Sequence, residues 1–189
     1  MGGGRCGGYL TQRELVSGEV IETFKLGYAN KSLTYWLPPG YSKDGREVRE
    51  KLQRVGVYRE SGHEHLNGCL VVPVLDRETG AVRQMYGRRI ASDNKIAANQ
   101  AKNLYLSMPL GGVWNEAALV ASRDVIVCEA LIDALMFWCA GYRNVISAFG
   151  VNGFTADHWA ALKRHGTERV VPSAGARSIS RTARTKPRT

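Results

Sequence analysis

Asp124-Val-Ile-Val-Cys-Glu129-Ala-Leu-Ile-Asp133 is the stretch on which the architecture of this chain turns. Asp124 to Cys128 is a short β-rich run that delivers the carboxylate of Glu129 to its C-terminal end. An apolar helix follows, carrying Asp133 four residues on, and Asn144-Val-Ile-Ser-Ala-Phe-Gly150 reads as a second strand ending at glycine. Strand, helix and strand in that order form a βαβ unit, which predicts an α/β fold with a parallel sheet and acid at its strand ends. Such a rim is a common place to hold a divalent metal beside phosphate.

Downstream, Thr155 is placed as a helix N-cap, with Asp157 favourable to the helix dipole. Phe154 and Trp159 stand at staple positions around it. That helix is expected to end near Gly166, with Glu168-Arg-Val-Val171 opening another strand. From Pro172 the chain turns to Ser, Ala, Arg, Thr, Pro and Gly without apolar periodicity. Such a composition buries too little surface to repay its ordering, so 172–189 is expected to be a disordered basic tail.

Upstream, residues 1–8 hold five glycines and are expected to be a flexible end. Leu10 to Ile21 fits a short helix, and Phe24 to Ala29 a strand interrupted by Gly27 and closed by Pro38-Pro39-Gly40. Asp44 or Gly45 opens a charged surface helix that runs to Val55. Gly68 to Leu75 and Ala81 to Ile90 are strands joined by the turn Asp76–Gly80, a hairpin. Trp114 to Val120 makes a short helix or turn.

The 189 residues suffice for one domain with a real core, or for two small ones. Net charge is +9, but the five cations of 172–189 account for more than half of it; without them the remainder carries +4. The body is mildly basic, and the tail inflates the impression of a nucleic-acid binder. The four cysteines show no C-x-x-C spacing, which argues for free thiols in a reducing cytosol and against a zinc site. Neither an uncharged run of membrane-spanning length nor a secretion signal is visible, so a cytoplasmic protein without membrane partner is expected.

Two groups of side chains can carry chemistry. Glu129 at a strand end can ligate a metal, with Asp133 behind it one turn along the same helix face. Equally, Glu129 can satisfy the helix N-terminus while Asp133 is solvated. Arg88 and Arg89 at the end of the second hairpin strand, with Lys95, Lys102 and Asn103 in the loop that follows, form a basic cluster able to hold a triphosphate or a nucleic-acid backbone. Adjacent strand residues face opposite ways, so Arg88 and Arg89 reach one ligand together only across a bulge. A charged sheet edge that repels other chains explains the same residues. The histidines lack metal spacing. Tyr35, Trp36, Trp114, Trp138 and Trp159 are read as core or interface aromatics, with base stacking open to one or two.

Taken in order, these elements resemble the bacterial-type DNA primases, in the form found in mobile elements and phages. Phe24-Lys-Leu-Gly-Tyr-Ala29 resembles the family's F-x-L-G-Y-A element, and Gly68 to Arg89 its basic N-terminal subdomain. Val127-Cys-Glu129-Ala-Leu-Ile-Asp133, Ala148-Phe-Gly150 and the helix from His158 to His165 resemble the first half of a TOPRIM domain. The resemblance implies an α+β basic subdomain over 9–120, then a partial TOPRIM α/β domain over 121–171. It implies Glu129 as catalytic carboxylate, Glu129 and Asp133 as ligands of Mg²⁺ or Mn²⁺, and Arg88, Arg89, Lys95, Lys102 and Asn103 as contacts to template or nucleotide. The implied partners are a single-stranded DNA template and nucleoside triphosphates, with a replicative helicase as a further candidate. The implied chemistry is primer RNA synthesis, in which a 3′-hydroxyl attacks an α-phosphate and pyrophosphate leaves.

The chain also departs from that pattern. The family continues the strand at Arg169-Val-Val into Asp-x-Asp; here Pro172-Ser-Ala-Gly-Ala-Arg follows, without acid to Thr189. The family's zinc ribbon has no counterpart upstream. The expectation is therefore a primase core truncated at both ends, with weak metal binding and impaired catalysis, and a tail that resembles out-of-frame translation. A non-catalytic nucleic-acid-binding module, another TOPRIM-superfamily enzyme and an unstably folded chain are the rival expectations.

Overall fold

The computed structural model describes residues 8, 11, 18–90 and 101–173. Lys95, most of the glycine-rich start, most of the Leu10–Ile21 helix and the tail beyond Ser173 lie outside the described residues. The described chain is a mixed α/β structure with one antiparallel and one parallel sheet, divided into two units.

The first unit takes residues 18–73 and 84–109. It holds α1 (Gly18–Thr23), β1 (Gly27–Tyr28), α2 (Leu33–Trp36), α3 (Lys43–Arg54), most of β2 (Cys69–Leu75) and β3 (Val82–Arg89), and β4 (Asn103–Tyr105). The four strands lie in sequence order, β1 at one edge and β4 at the other. β2 and β3 are neighbours joined through Asp76, whose carboxylate accepts from the N–H groups of Glu78 and Thr79 and closes the turn. β3 and β4 pair antiparallel, with Arg88 opposite Asn103 and Tyr86 opposite Tyr105. Leu66, Cys69 and Leu106 centre the core on one face, with Met85 and Leu104 packed against them.

Three details differ from the sequence reading. The Phe24–Ala29 strand shrinks to two residues, because Lys25 turns the chain at φ 52° directly after α1. A single helical turn, α2, then intervenes before the prolines and stops at Leu37, which Pro38 holds extended. Tyr35 and Trp36 on that turn are 88% and 83% exposed, so they are not core aromatics. The charged helix itself begins at Lys43, where Ser42 caps it by accepting from the Gly45 N–H. Gly45 has no alternative, since a Cβ there would lie 1.9 Å from the Pro39 carbonyl oxygen.

The second unit takes residues 74–83 and 110–173. It contains α4 (Ala117–Ala121), β5 (Asp124–Cys128), α5 (Leu131–Cys139), β6 (Val145–Ser147), α6 (Ala156–Arg164) and β7 (Arg169–Pro172). The strands are parallel in the order β6-β5-β7. The chain moves from β5 outward to β6, then back past β5 to β7. With right-handed crossovers, this reversal puts α5 and α6 on opposite faces. Val125, Val127 and Ile146 accordingly share a cluster with Leu119 of α4 and with Ala161 and Leu162 of α6. On α5, Leu131, Ile132, Ala134, Leu135 and Trp138 are buried, and the helix packs on β5 and β6. β5 is thus buried on both faces, which explains its near-continuous apolar run.

α6 starts as the sequence indicates, at Thr155, with Phe154 and Trp159 edge to face at 5.1 Å. It closes at Gly166, whose N–H donates to Lys163 O while that of Thr167 donates to Leu162 O. The last strand runs further than Val171: Pro172 is part of β7, and the Ser173 N–H donates to Val127 O at 2.9 Å. A proline fits there because β7 is an edge strand. Among the described residues no helix is long and apolar enough to cross a membrane.

Candidate functional site

In the first unit the candidate residues gather where β3 meets β4. Alternation places Gln84, Tyr86 and Arg88 on one face of β3, and Met85, Gly87 and Arg89 on the other. Arg88 Nη1 and Tyr86 Oη both donate to Asn103 Oδ1, each at 2.8 Å. Asn103 thus has its carbonyl end fixed by two donors, and its amide end is directed by the same choice. Tyr86 is fully buried and its ring lies 5.5 Å from that of Tyr105, so the hydroxyl is held without freedom to swing. Arg88 Nε is buried with no hydrogen-bond partner among the described residues.

Arg89 goes the other way. Its Nε donates to Ala101 O at 3.1 Å and its N–H to Lys102 O at 3.0 Å, which pins the chain entering β4. Its charge reaches the Cys69 thiol on the opposite face, although burial dominates there and raises that thiol's pKa. Arg88 and Asn103 are brought together, therefore, while Arg89 is directed elsewhere and Lys102 is exposed between them. Tyr86 joins the site without a motif of its own; its only signal in the sequence is its placement two positions before Arg88, on the same strand face.

In the second unit the candidate carboxylates sit at the C-terminal rim of the parallel sheet. Glu129 directly follows β5 and lies ahead of α5, which begins at Leu131 with Ala130 as N-cap and no side-chain cap. The expected helical spacing between Glu129 and Asp133 does not apply, because Glu129 is not on the helix. Asp133 is exposed on the first turn of α5. Glu129 is held through its backbone: its carbonyl accepts from the Gly150 N–H at 3.0 Å, beside the bond from Ala148 N–H to Cys128 O at 2.8 Å. Gly150 makes that approach at φ 104°.

The turn carrying Gly150 is itself anchored. Gly153 bonds back to Gly150 and Phe149, and a Cβ on Gly153 would stand 2.3 Å from the Phe149 carbonyl carbon. His158 of α6 is fully buried beneath it, with Nε2 on Ser147 O at 2.9 Å and Nδ1 on Thr155 Oγ1 at 2.8 Å. The rings of Phe149 and Phe154 flank it. Burial lowers the His158 pKa, and the bond to Ser147 and the charge of Asp157 only partly oppose it. The Cys128 thiol at the end of β5 is raised to about 11, by burial first, with the Ser173 hydroxyl bonded to it and the Asp133 charge acting on it. Ser173 is thereby placed at the rim, where β7 ends.

A hard divalent cation asks for carboxylate oxygens at this rim. Among the described residues no group of three His, Cys, Asp or Glu side chains is placed to hold a metal. Of the residues that directly follow β5, β6 and β7, only Glu129 is acidic. The donor set does not fit a protein-built magnesium centre.

Residues 126–175 match the Toprim-like family. Over 175 residues the chain is 22% identical to a DNA primase of Borreliella burgdorferi, covering 85% of this chain and 31% of that protein. The chain thus spans about a third of that relative's length. Among solved structures, the E. coli primase catalytic core aligns over 95% of this chain and 59% of its own, with a TM-score of 0.72 at 21% identity. A primase catalytic domain bound to single-stranded DNA aligns over 95% and 59%, with a TM-score of 0.69 at 20% identity. The Aquifex aeolicus primase, with its zinc-binding and RNA polymerase domains, aligns over 93% and 45%, with a TM-score of 0.68 at 20% identity. The chain thus carries a Toprim-like segment at 126–175, has the fold of the bacterial-type DNA primase catalytic cores and is similar in sequence to a DNA primase.

Proposed function

We propose that this chain engages single-stranded DNA template and nucleoside triphosphates as a primase does, and that its own synthesis of short RNA primers is impaired. The observation that carries the first half is the joint hold of Arg88 and Tyr86 on Asn103, beside exposed Lys102. A guanidinium fixed at one end offers its remaining N–H groups to phosphate, and a fixed amide presents a defined donor. Arg89 and Lys95 add positive charge to the same stretch of sequence and would act at long range.

The second half rests on the rim. In this reading Glu129 is the carboxylate that meets the reacting nucleotide, and Asp133 tunes it from the first turn of α5. A divalent ion, magnesium or manganese, would supply charge stabilisation to the phosphates when bound. This chain offers it Glu129 and substrate oxygens but no companion carboxylate after β7, where Ser173, Ala174, Gly175 and Ala176 follow. The chain's own residues therefore bind and orient substrate better than they drive transfer. A replicative helicase and a cytoplasmic setting belong to the same reading.

Template-dependent dinucleotide synthesis, assayed with Mg²⁺ or Mn²⁺ and with Glu129→Gln as control, tests it. Activity near the Gln control, together with salt-sensitive binding of oligothymidylate, is the expected result. Robust synthesis abolished by Glu129→Gln would overturn the impairment. Failure to bind single strands at low salt would overturn the whole reading.

A further inference from the structure

A cavity in the first unit is lined by neither Arg88 nor Asn103. It has a volume of about 330 Å³ and is walled by Val71, Met85, Leu66 and Leu106 of the sheet-side core, with Leu33 and Trp36 of α2 at its side. That size falls within the range of sites that accept small molecules or single anchoring side chains. The wall is built rather than incidental. Leu33 N–H donates to Glu64 Oε1 at 3.2 Å, and Thr34 Oγ1 is bonded to Tyr58 Oη at 2.9 Å, so α2 is tied at two points.

Two further observations select the occupant. Among the described lining residues Glu64 is the one charged side chain; Lys31, between Asn30 and Ser32, is not part of the lining. A lysine or arginine entering the cavity meets its complement in Glu64, whereas a phosphate meets a like charge there. The cavity is also bordered by β1, the edge strand of the antiparallel sheet. Ala29 turns its N–H and C=O toward β2, donating to Cys69 O and accepting from Gly68 N–H. By alternation the backbone groups of Tyr28 are aimed along the edge that no other described strand covers. Trp36, which lines the cavity, stands 83% exposed, and aromatic side chains of that kind are enriched at protein interfaces.

We propose that this face binds an extended protein segment that aligns along β1, inserts one apolar or aromatic side chain into the cavity, and sets a neighbouring lysine or arginine against Glu64. The site is independent of the nucleotide chemistry proposed above.

The test pans the full chain against phage-displayed random decapeptides and measures synthetic versions of the enriched sequences by fluorescence anisotropy. An apolar residue with Lys or Arg within two positions is the expected consensus. Its affinity should fall about tenfold in Trp36→Ala and in Glu64→Gln. Trp36 is exposed, so its removal leaves the fold intact, and glutamine keeps the acceptor for Leu33 N–H. A consensus without a cation, or undiminished binding by both variants, would overturn the proposal. So would oligothymidylate that competes with the peptide and binds Glu64→Gln more tightly, since that assigns the face to nucleobases.

Discussion

The antiparallel and the parallel sheet hold their candidate residues in opposite ways. Near β4, side chain fixes side chain: Asn103 receives two donors from β3, fifteen and seventeen positions earlier in the chain. At the rim of the parallel sheet, backbone fixes backbone: Glu129 is placed through its carbonyl by Gly150, and Gly150 by the turn that Gly153 and His158 anchor. The first arrangement defines where donors point and leaves the local chain replaceable. The second defines where a strand end lies and tolerates little change in the turn that holds it. Binding surfaces need the former; a carboxylate that meets reacting atoms to within a fraction of an ångström needs the latter.

The comparison breaks most severely at two glycines. Gly153→Ala pushes a Cβ into backbone inside the turn that supports Glu129, and should cost about 3 kcal/mol or more of unfolding free energy. Gly45→Ala sets a Cβ closer still to backbone, 1.9 Å from the Pro39 carbonyl oxygen, and should cost at least as much. Chemical denaturation of both variants checks this; a loss below about 1 kcal/mol in either would show that its neighbouring backbone yields.

Next in size is a contrast of burial. Leu135→Ala, from a side chain with no exposed area, should destabilise by about 3 kcal/mol, and Trp36→Ala by less than about 0.5 kcal/mol despite the larger truncation. Arg88→Ala should weaken oligothymidylate binding about tenfold and flatten its salt dependence by about 0.7 of a counterion, without loss of Tm. An unchanged salt slope would assign Arg88 to holding Asn103 alone.

The smallest effect is in pH. His158 has its folded pKa below the ordinary 6.5, so the unfolded chain takes up the proton first on acidification. The stability it contributes is present above about pH 6.5 and is lost as pH falls toward the folded value. Comparing the wild type with His158→Gln across pH 7 to 5 should show the wild type losing more. A constant difference would mean that the buried ring does not titrate in that window.

The parallel sheet was largely legible from sequence because its signals are local. Continuous apolar runs, Thr155, Gly166 and the Phe154–Trp159 staple each act within a few residues. The antiparallel unit was less so. Nothing within Leu33–Trp36 announces a helix of one turn, since its ties to Glu64 and Tyr58 come from distant residues. The aromatic identity of Tyr35 and Trp36 leaves a core or an interface place open, and a single turn followed by Pro38 gives them nothing to pack beneath. In the site, the pairing of Arg88 with Asn103 required the β3–β4 register. The alternation rule did separate Arg88 from Arg89. Glu129 was read correctly as a strand-end residue and wrongly as part of a helical face, because α5 starts two residues later than the carboxylate spacing suggested.

β5 is the first strand of the parallel sheet to leave the ribosome and the middle strand of the finished sheet. β6 covers one of its edges soon afterward, but the other waits for β7; Asp124 and its partner Arg169 are 45 residues apart. At ordinary elongation rates of about 5–20 residues per second, that edge stays unpaired for roughly 2 to 9 seconds of synthesis. A nascent chain of this protein thus exposes an apolar strand long enough for a chaperone, or a neighbouring nascent chain, to reach it first.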